Sequence, residues 1–539
     1  MSDFDTIVIG SGAGGLTTAL SLARIGQRVL VLEQHSLPGG WCHSFSLEGF
    51  LYSPGVHYIG QLQPGGRLRQ IYEGLGVAND LTFLELNPDG FDHVVIGDQT
   101  FDIPKGRQRY LARLQKEFPA ERQNLDKLFL LIDSLANVSG KPRSLLDQLR
   151  LVTLGLRSID HLLDRVGIKD ERLRAILTVQ SGDHGMAPSQ APAALHAAIM
   201  AHYFEGGYYP KGGARSIPRA FIRGLTAHGG EIRVNTPVAK IQLEGTHRRR
   251  AIGVRLGDGT FITADQVVSN ADPHITFNEL IGKENLSRRL QKRLTRTEYS
   301  HSAISLFCAT DLDLAAMGFD SGNYWCSNTA RVEEVYDQAK RTHDLGDDDE
   351  LPGIFLTITT LKDRSKRQDG LHTMECFSLA SYDLFQKWKK SEYGDRPDDY
   401  ERYKAMLSAK MLQSMEKLIP GVSQRIVFSE LGTPLTKAHY IHATRGSLYG
   451  TSKRWNQIGP WAYPVKTEIE GLFMCGASTA AHGVAGATET GIMAAKQIAK
   501  CPAQDFLTAS GQQLVILPCD SPEEWTKTNE NQASKNPIA

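Results

Sequence analysis

Residues 5–33 have the sequence DTIVIGSGAGGLTTALSLARIGQRVLVLE, close to the start of a chain of 539 residues. An apolar run of strand length leads into a glycine-rich turn, a helical stretch and a second apolar run. Gly10, Gly12 and Gly15 fit the pattern G-x-G-x-x-G, with Gly14 between them. The second run ends at Glu33, about 20 residues beyond the turn. This order of elements is typical of a Rossmann-type dinucleotide-binding unit.

Each of the three spaced glycines has its own task in such a unit. The first permits a tight turn, the second lets the backbone approach a pyrophosphate, and the third lets helix and strand pack closely. The free N–H groups at the start of the helix then face the phosphates. Glu33 is placed to accept hydrogen bonds from a ribose diol, and Gln34 is predicted to belong to the same site.

The next block favours FAD over NAD. The sequence PGGWCHSF places Gly39, Gly40 and Trp41 soon after Glu33. FAD is the longer dinucleotide, so a second close approach of the backbone is expected there. Two distant blocks have a related character: residues 208–244 contain glycine turns around an amphipathic helix, and residues 470–499 contain a strand, a loop of small residues and a helix from about Thr488.

These three blocks resemble the shared signatures of FAD-dependent amine-oxidase-like and phytoene-desaturase-like flavoproteins. The resemblance extends from about residue 5 to about residue 500. Within that group, four further motifs are similar to those of the retinol saturases, whose relatives are carotenoid isomerases and desaturases. The motifs are GVHYIG (55–60), VVSNAD (267–272), TPLT (433–436) and RGSLYG (445–450).

The resemblance implies a set of FAD-binding residues. The first glycines and Glu33 would hold the adenosine half, the backbone of Val238 would meet the adenine, and the block from Gly476 would lie along the ribityl chain and flavin ring. Ala477 departs from many flavoproteins, which have an acid there. The predicted FAD-binding residues are Gly10, Gly12, Gly14, Gly15, Glu33, Gln34, Gly39, Gly40, Trp41, Val238, Gly476, Ala477 and Gly486.

Because the FAD blocks are far apart in sequence, the predicted fold is α/β, with a discontinuous Rossmann-type FAD-binding domain and an inserted α+β substrate domain. The FAD-binding domain is predicted to comprise residues 1–75, 205–272 and 431–505. The substrate domain, with its helical cover, is predicted to comprise residues 76–204 and 273–430. A polar segment at 520–539 lacks periodicity and is expected to be disordered.

Residues 144–167, SLLDQLRLVTLGLRSIDHLLDRVG, begin at a plausible helix cap, Ser144. Apolar residues then recur at spacings of three and four, which predicts one amphipathic helix or two helices broken near Gly155. Two interpretations remain open for this face. It covers the substrate cavity, or it dips into a membrane to collect lipid.

Composition excludes several classes of protein. Lys+Arg and Asp+Glu number 60 each, so no excess of positive charge favours nucleic acid. Seven scattered cysteines never form C-x-x-C, which argues against a disulfide framework, and no metal site is predicted. The sequence has no signal-peptide pattern and no apolar run of about 18 residues. The expected location is the cytoplasm, with peripheral contact at a membrane as an alternative.

A saturase, as the resemblance implies, adds a hydride to one carbon of a double bond and a proton to the other, so we expect a proton donor near the flavin. His57, Tyr58 and His482 are the candidates, although each could equally have a purely structural role. Aromatic candidates for the channel lining are Trp325, Phe377, Tyr382 and Tyr440. No second G-x-G-x-x-G follows a strand, so we expect an external electron donor rather than a built-in nicotinamide domain.

Three functions compete. The resemblance favours an enzyme that saturates one double bond of a long apolar polyene, such as a retinoid, carotenoid or unsaturated lipid. The alternative is a carotenoid isomerase or a phytoene-type desaturase on the same scaffold. A flavin or lipid carrier without turnover is a third hypothesis, which the full set of FAD motifs disfavours.

Overall fold

A computed structural model describes residues 2–138, 144–246, 248–341, 350–366, 369–508, 511, 513–523 and 525. Part of the predicted disordered segment, residues 526–539, lies outside the described residues. The strands are β1 (Phe4–Ile9), β2 (Val29–Leu32), β3 (Phe45–Leu47), β4 (Phe50–Tyr52), β5 (Thr82–Glu85), β6 (Asp92–Ile96), β7 (Gln99–Ile103), β8 (Tyr208–Pro210), β9 (Glu231–Arg233), β10 (Val238–Glu244), β11 (Arg250–Leu256), β12 (Phe261–Ser269), β13 (Ser302–Thr310), β14 (Asn323–Ser327), β15 (Gly353–Ile358), β16 (His372–Ala380), β17 (Ile426–Gly432), β18 (Leu472–Met474) and β19 (Val515–Pro518).

Helices flank these strands throughout the chain. The helices are α1 (Ala13–Ala23), α2 (Arg67–Gly74), α3 (Arg107–Glu117), α4 (Arg122–Ala136), α5 (Leu145–Arg150), α6 (Ile159–Val166), α7 (Glu171–Thr178), α8 (Ala193–Tyr203), α9 (Ser216–Ala227), α10 (Arg288–Leu294), α11 (Val332–Gln338), α12 (Thr359–Lys362), α13 (Asp398–Leu418), α14 (Pro434–Tyr440) and α15 (Gly483–Ala499).

The dinucleotide end is built on a seven-stranded sheet. Its order is β10-β11-β12-β1-β2-β9, and β18 also pairs with β12. Strand β1 lies between β2 and β12, parallel to both, and Ile7 is opposite Leu30 and Val267. These residues are fully buried, as expected for a parallel sheet covered on both faces. The sheet therefore joins three distant parts of the chain.

Helices α1 and α15 pack tightly because small residues face each other. A Cβ added to Gly491 of α15 would lie 2.5 Å from the carbonyl oxygen of Gly14 in α1. The hydroxyl of Thr18 donates to the carbonyl of Gly491 at 3.2 Å. This contact fixes the carboxyl-terminal block against the first glycine turn.

A second seven-stranded sheet has the order β17-β13-β16-β15-β14-β6-β7. Its strands alternate with helices that include the 21-residue α13. Helices α3, α4, α6, α7 and α8 form a separate apolar cluster with β6 and β7. The second sheet and this helical layer form the α+β part of the fold.

A small sheet joins segments that were predicted to lie in different domains. Strand β8, from the predicted FAD-binding segment 205–272, pairs with β5 of segment 76–204, and β19 pairs with β5 on its other edge. Beyond β19, Trp525 is buried and its indole N–H donates to the carbonyl of Pro518 at 2.7 Å. The expectation of disorder from residue 520 is therefore wrong for Trp525, because its ring packs into the apolar core.

Residues 144–167 form two helices rather than one. Ser144 caps α5 by accepting a hydrogen bond from the backbone N–H of Asp147, and a π-helical turn at Leu151–Gly155 precedes α6. The predicted apolar face is divided by this break. Leu145, Leu149 and Val152 are exposed, whereas the apolar residues of α6 are buried. Among the described residues, we find no helix long and apolar enough to cross a membrane.

Candidate active site

The first glycine turn has little space for side chains. Gly10 has a φ of 92°, in the region that favours glycine. A Cβ added to Gly15 would lie only 2.2 Å from the carbonyl oxygen of Gly10, so helix α1 and strand β1 can meet only with glycine here. Gly15 is thus a packing residue, and the cavity is lined instead by Gly10, Gly12 and Gly14.

Asn270, which the sequence argument did not single out, sits among the glycines. A Cβ on Gly12 would lie 2.6 Å from its Nδ2, and a Cβ on Gly476 would lie 2.6 Å from its Oδ1. Asn270 follows β12, which is parallel to β1, so both strands deliver their ends to the same edge. The motif VVSNAD was the available signal, because it ends a buried strand with a polar side chain.

Glu33 connects the two glycine turns. Its Oε2 accepts hydrogen bonds from the backbone N–H of Ser11 at 2.9 Å and from the Ser11 hydroxyl at 2.6 Å, while Oε1 accepts from the N–H of His35. The Ser11 hydroxyl also accepts from the N–H of Gly39 at 2.9 Å. A carboxylate has about four lone-pair sites, so capacity remains for a ribose hydroxyl.

The second glycine turn lies directly against the first. Gly39 and Gly40 have φ values of 123° and 54°, and a Cβ on Gly40 would lie 3.3 Å from the Cα of Gly12. Helix α1 begins at this point with no side-chain cap, so its first N–H groups are free to bind an anion. Two glycine turns without side chains, next to the uncapped amino-terminal end of α1, can accommodate the pyrophosphate of a dinucleotide.

The carboxyl-terminal block closes the other end. Gly476 has a φ of 87°, and its N–H donates to the Thr490 hydroxyl at 2.8 Å. Helix α15 begins at Gly483, earlier than the predicted start near Thr488, and it also lacks a side-chain cap. Gly486 was predicted to bind FAD, but it does not line the cavity. A Cβ there would lie 2.8 Å from the Cβ of Ala481, so it is a packing glycine inside the helix.

One cavity of about 540 Å³ joins these turns to an apolar chamber. Most predicted FAD-binding residues line it, including Glu33, Gln34, Trp41, Val238 and Ala477. Of the predicted channel aromatics, Tyr382 instead lines a neighbouring pocket. The chamber beyond the turns is lined by Val94, Val179, Trp325, Phe355, Phe377, Ile441 and Leu448.

His57 faces this chamber beside a buried acid. Its Nδ1 lies 3.0 Å from Oε2 of Glu375, and its ring centroid is 4.6 Å from that of Phe377. The two atoms are at ion-pair distance, but within the described part of the chain neither makes a well-oriented hydrogen bond. The backbone carbonyl of His57 accepts from Lys362 Nζ at 2.7 Å, which fixes the loop.

Tyr58 lies between two acids that sequence reasoning missed. Its hydroxyl oxygen is 2.9 Å from Asp183 Oδ2 and 3.2 Å from Asp92 Oδ2. Its ring stacks on Tyr203 with centroids 4.3 Å apart. Burial, followed by the two carboxyl groups, raises the pKa of Tyr58. Asp92 begins β6 and Asp183 lies in a 3-10 turn after α7, so no local motif could reveal the pair.

Both acids hold protons more tightly than an ordinary aspartate. Burial, followed by the charge of Asp92, raises the pKa of Asp183 to about 8. Burial raises the pKa of Asp92 to about 6, against hydrogen bonds from Asn323 and Gln180 that lower it. Asp183 lines the cavity, and Asp92 is fully buried behind it.

His482 is close to this group but does not line the cavity. Its Nε2 is 3.2 Å from the backbone carbonyl of Asp183, which requires the tautomer with a proton on Nε2. Burial and the nearby Lys453 lower the pKa of His482 to about 3. The ring is therefore neutral at physiological pH, which makes it a poor general acid.

Comparison with known proteins identifies the group to which this architecture belongs. The family model for flavin containing amine oxidoreductases matches residues 13–499. An all-trans-retinol 13,14-reductase from Danio rerio is 30% identical over 516 residues, covering 90% of this chain and 84% of that protein. A chloroplastic prolycopene isomerase from Arabidopsis thaliana is 27% identical, covering 92% of this chain and 82% of that protein.

Solved structures agree on the fold. The crystal structure of an oxidoreductase from Methanosarcina mazei superposes with a TM-score of 0.63 at 18% identity, covering 90% of this chain and 99% of that one. The predicted fold class and the FAD cofactor are thus confirmed. The chain belongs to the family of flavin-containing amine oxidoreductases and is an FAD-dependent oxidoreductase.

Proposed function

We propose that the protein saturates one carbon–carbon double bond of a long apolar polyene, such as a retinoid, carotenoid or unsaturated lipid. One observation carries this proposal: the cavity with the dinucleotide turns continues into an apolar, aromatic-lined chamber that has an acid at its wall. The relatives named as retinol reductases support the same chemistry.

The chain's own residues have three tasks in this reaction. The glycine turns and the two uncapped helix ends hold FAD, which supplies hydride transfer when bound. The aromatic chamber orients the polyene and excludes water from the reacting bond. His57 and Tyr58 remain candidates for the proton donor. Because the described chain has no second dinucleotide turn after a strand, we propose an external electron donor.

The reaction is tested with chemically reduced holoenzyme under anaerobic conditions. Addition of all-trans-retinol or a carotenoid should reoxidise the flavin stoichiometrically and shift the polyene absorbance to shorter wavelength, because conjugation becomes shorter. The product should gain two hydrogens in its mass spectrum. If the flavin of the wild-type enzyme stays reduced in the presence of every polyene tried, the proposal is wrong.

A carotenoid isomerase or desaturase is the second candidate, and the relatives named prolycopene isomerase favour it. The same measurement separates the two. An isomerase would change the polyene geometry without a change in mass. A desaturase would act from the oxidised flavin and shift the absorbance to longer wavelength, with a loss of two hydrogens.

We also propose that α5 and the π-helical turn after it contact a membrane and admit substrate from it. Leu145, Leu146, Leu149 and Val152 are 85%, 54%, 58% and 66% exposed, which is unusual for four neighbouring apolar residues. The adjoining Gly155 is buried against Leu135 and Ala194 of the helical layer, so the exposed turn is anchored to the body. The contact would be peripheral.

A further inference from the structure

We propose that Asp183 is the residue that delivers the proton to the polyene, with Tyr58 and Asp92 as a hydrogen-bonded chain that holds the proton in place. This inference rests on the proposed reduction. It replaces a choice between His57 and Tyr58 with an acid that neither the motifs nor the resemblance singled out.

The geometry of Tyr58 shows that the two acids cannot both be ionised without losing a hydrogen bond. Its hydroxyl has one proton but lies within hydrogen-bonding distance of two carboxyl oxygens, at 2.9 Å and 3.2 Å. A single O–H can donate to only one of them. The other contact is a hydrogen bond only if that carboxyl group has its own proton and donates it to the phenol oxygen.

The surroundings decide which acid has the extra proton. Asp92 accepts from the side-chain amide of Asn323 at 2.9 Å and from that of Gln180 at 3.3 Å, in addition to Tyr58. Three donors favour the ionised form of Asp92. Within the part of the chain that the structure describes, Tyr58 is the one side-chain partner of the Asp183 carboxyl group, so the protonated form suits it. The chain therefore runs from the Asp183 O–H to Tyr58 and from the Tyr58 O–H to Asp92.

The position of Asp183 also favours delivery to a substrate. Asp183 is one of the residues that line the cavity, and its backbone carbonyl accepts from His482, the residue before the start of α15 at Gly483. Gly182 is held against the Trp325 ring, where an added Cβ would lie 2.4 Å from the ring. The turn is thus fixed on both sides.

The groups that face Asp183 do not offer it a full positive charge. Its titratable neighbours are Asp92, Tyr58, Tyr203, Tyr336, Tyr449 and His482. The tyrosines are neutral at physiological pH because burial raises their pKa, and His482 is neutral because burial lowers its pKa. Lys362 faces the Asp92 side of the group, with its Nζ 6.0 Å from the Tyr58 ring centroid, and burial lowers its pKa to about 7. With Asp92 nearby, ionisation of Asp183 adds a second negative charge to a largely buried site.

The step balances as follows. Reduction of one double bond adds a hydride to one carbon, with an electron pair that the external reductant has first placed on the cofactor. The π pair of the double bond forms the second C–H bond with the Asp183 proton, and the Asp183 O–H bond breaks to leave a carboxylate. The carboxylates of Asp92 and Asp183 then repel each other, which favours uptake of one proton from water after product release.

The proton on Asp183 is measured directly in the holoenzyme by infrared spectroscopy. We expect a protonated carboxylic C=O band that disappears as the pH is raised through about 8. Asp183→Asn should delete this band, and Tyr58→Phe should shift it to higher frequency by removing its hydrogen bond. The control Asp363→Asn changes a fully buried aspartate that accepts from Gly212 N–H outside the cavity, and it should leave the band unchanged.

The kinetic readout uses the same variants with bound FAD. Asp183→Asn should slow reoxidation of the reduced flavin by retinol or a carotenoid by about 100-fold, the lower range of a general-acid contribution. In wild type this rate should fall as pH rises above about 8, since the acid form is lost, and the variant should lack that fall. Deuterium from heavy water should appear at one carbon of the product.

Two results would overturn the inference. One is the absence of a titrating carboxylic band in wild type, and the other is wild-type reoxidation by Asp183→Asn at every pH. Failure of the proposed function looks different. In that case the wild-type flavin is not reoxidised by any polyene, while the band and its loss in Asp183→Asn still report the proton on Asp183.

Discussion

The dinucleotide end of the cavity is made of turns with small or absent side chains, whereas the substrate end is made of aromatic and ionisable side chains from distant segments. At the first end the backbone itself binds, through helix N–H groups and glycines that leave room for the cofactor. At the second end the side chains act, and Tyr58, Asp92 and Asp183 each come from a different element. Mutations at the dinucleotide end should therefore release FAD, whereas mutations at the substrate end should slow the reaction while FAD stays bound.

The largest effect is expected at the first glycine turn. Gly12→Val should weaken FAD binding by about 100-fold or more, equivalent to ~3 kcal/mol, because its side chain would collide with Asn270 and enter the pyrophosphate site. The measurement is the flavin absorbance per chain after gel filtration. The control is Gly257→Ala, where an added Cβ would lie 3.6 Å from Pro237 and fit without strain.

If Gly12→Val retained wild-type FAD, the assignment of this turn to the pyrophosphate would be wrong. Full occupancy in Gly257→Ala is needed to show that the loss is specific. Activity should vanish with the cofactor, which distinguishes this end from the next.

The second prediction concerns the substrate end. Tyr58→Phe should slow flavin reoxidation by a polyene by about 30-fold and leave FAD bound, because it removes two hydrogen bonds of ~1 kcal/mol each that link the acids, whereas the phenol forms no part of the dinucleotide turns. Tyr400→Phe is the matched control, since this buried hydroxyl bonds Thr433 away from the cavity. Stopped-flow absorbance measures the rate. Equal rates in wild type and Tyr58→Phe would remove this tyrosine from the proton path.

This difference explains what the sequence could predict. Strand, turn, helix and acid follow one another within residues 5–33, so local pattern was sufficient for the nucleotide end. Helix capping at Ser144 was also predictable from local chemistry. The acid pair was not, because Asp92 and Asp183 meet only after β6 and the turn following α7 are packed together. A single aspartate in a sequence does not indicate whether its side chain will be buried.

The same limit explains two differences between the sequence prediction and the structure, at Gly486 and at Trp525. Gly486 fits a glycine-rich loop in sequence, but the small residues around it also allow a helix that starts at Gly483. Among the described residues of the tail, Trp525 is buried, and its partner carbonyl belongs to β19, which joins the sheet of β5 and β8. In both cases the local composition was described correctly, but tertiary contacts decided the structure.

A smaller effect is expected outside both ends, on the exposed residues of α5 and of the π-helical turn that follows it. The double variant Leu149→Asp, Val152→Asp should lower partition of the holoenzyme onto phosphatidylcholine vesicles by about 10-fold and leave FAD in place, because two apolar contacts are replaced by charges. Flotation measures the bound fraction. A double variant at Met317 and Val427, exposed apolar residues elsewhere, should float like wild type. Equal flotation of all three proteins would contradict a membrane role for α5.

The smallest effect is expected at His482, which precedes α15 and contacts the backbone of Asp183. Its Nε2 proton is donated to the backbone of Asp183, while its ring packs edge-on against Tyr449 with centroids 5.1 Å apart. His482→Phe keeps the ring and loses one hydrogen bond of ~1 kcal/mol, which predicts about a 5-fold slower reoxidation. His482→Gln should restore most of the rate, because an amide N–H can donate to the same carbonyl.

The pKa of His482 is about 3, so the imidazole stays neutral above that pH and its loss should not change the shape of the pH–rate profile. A loss of about 100-fold in His482→Phe, with the fall above pH 8 abolished, would instead make His482 the acid and Asp183 its support.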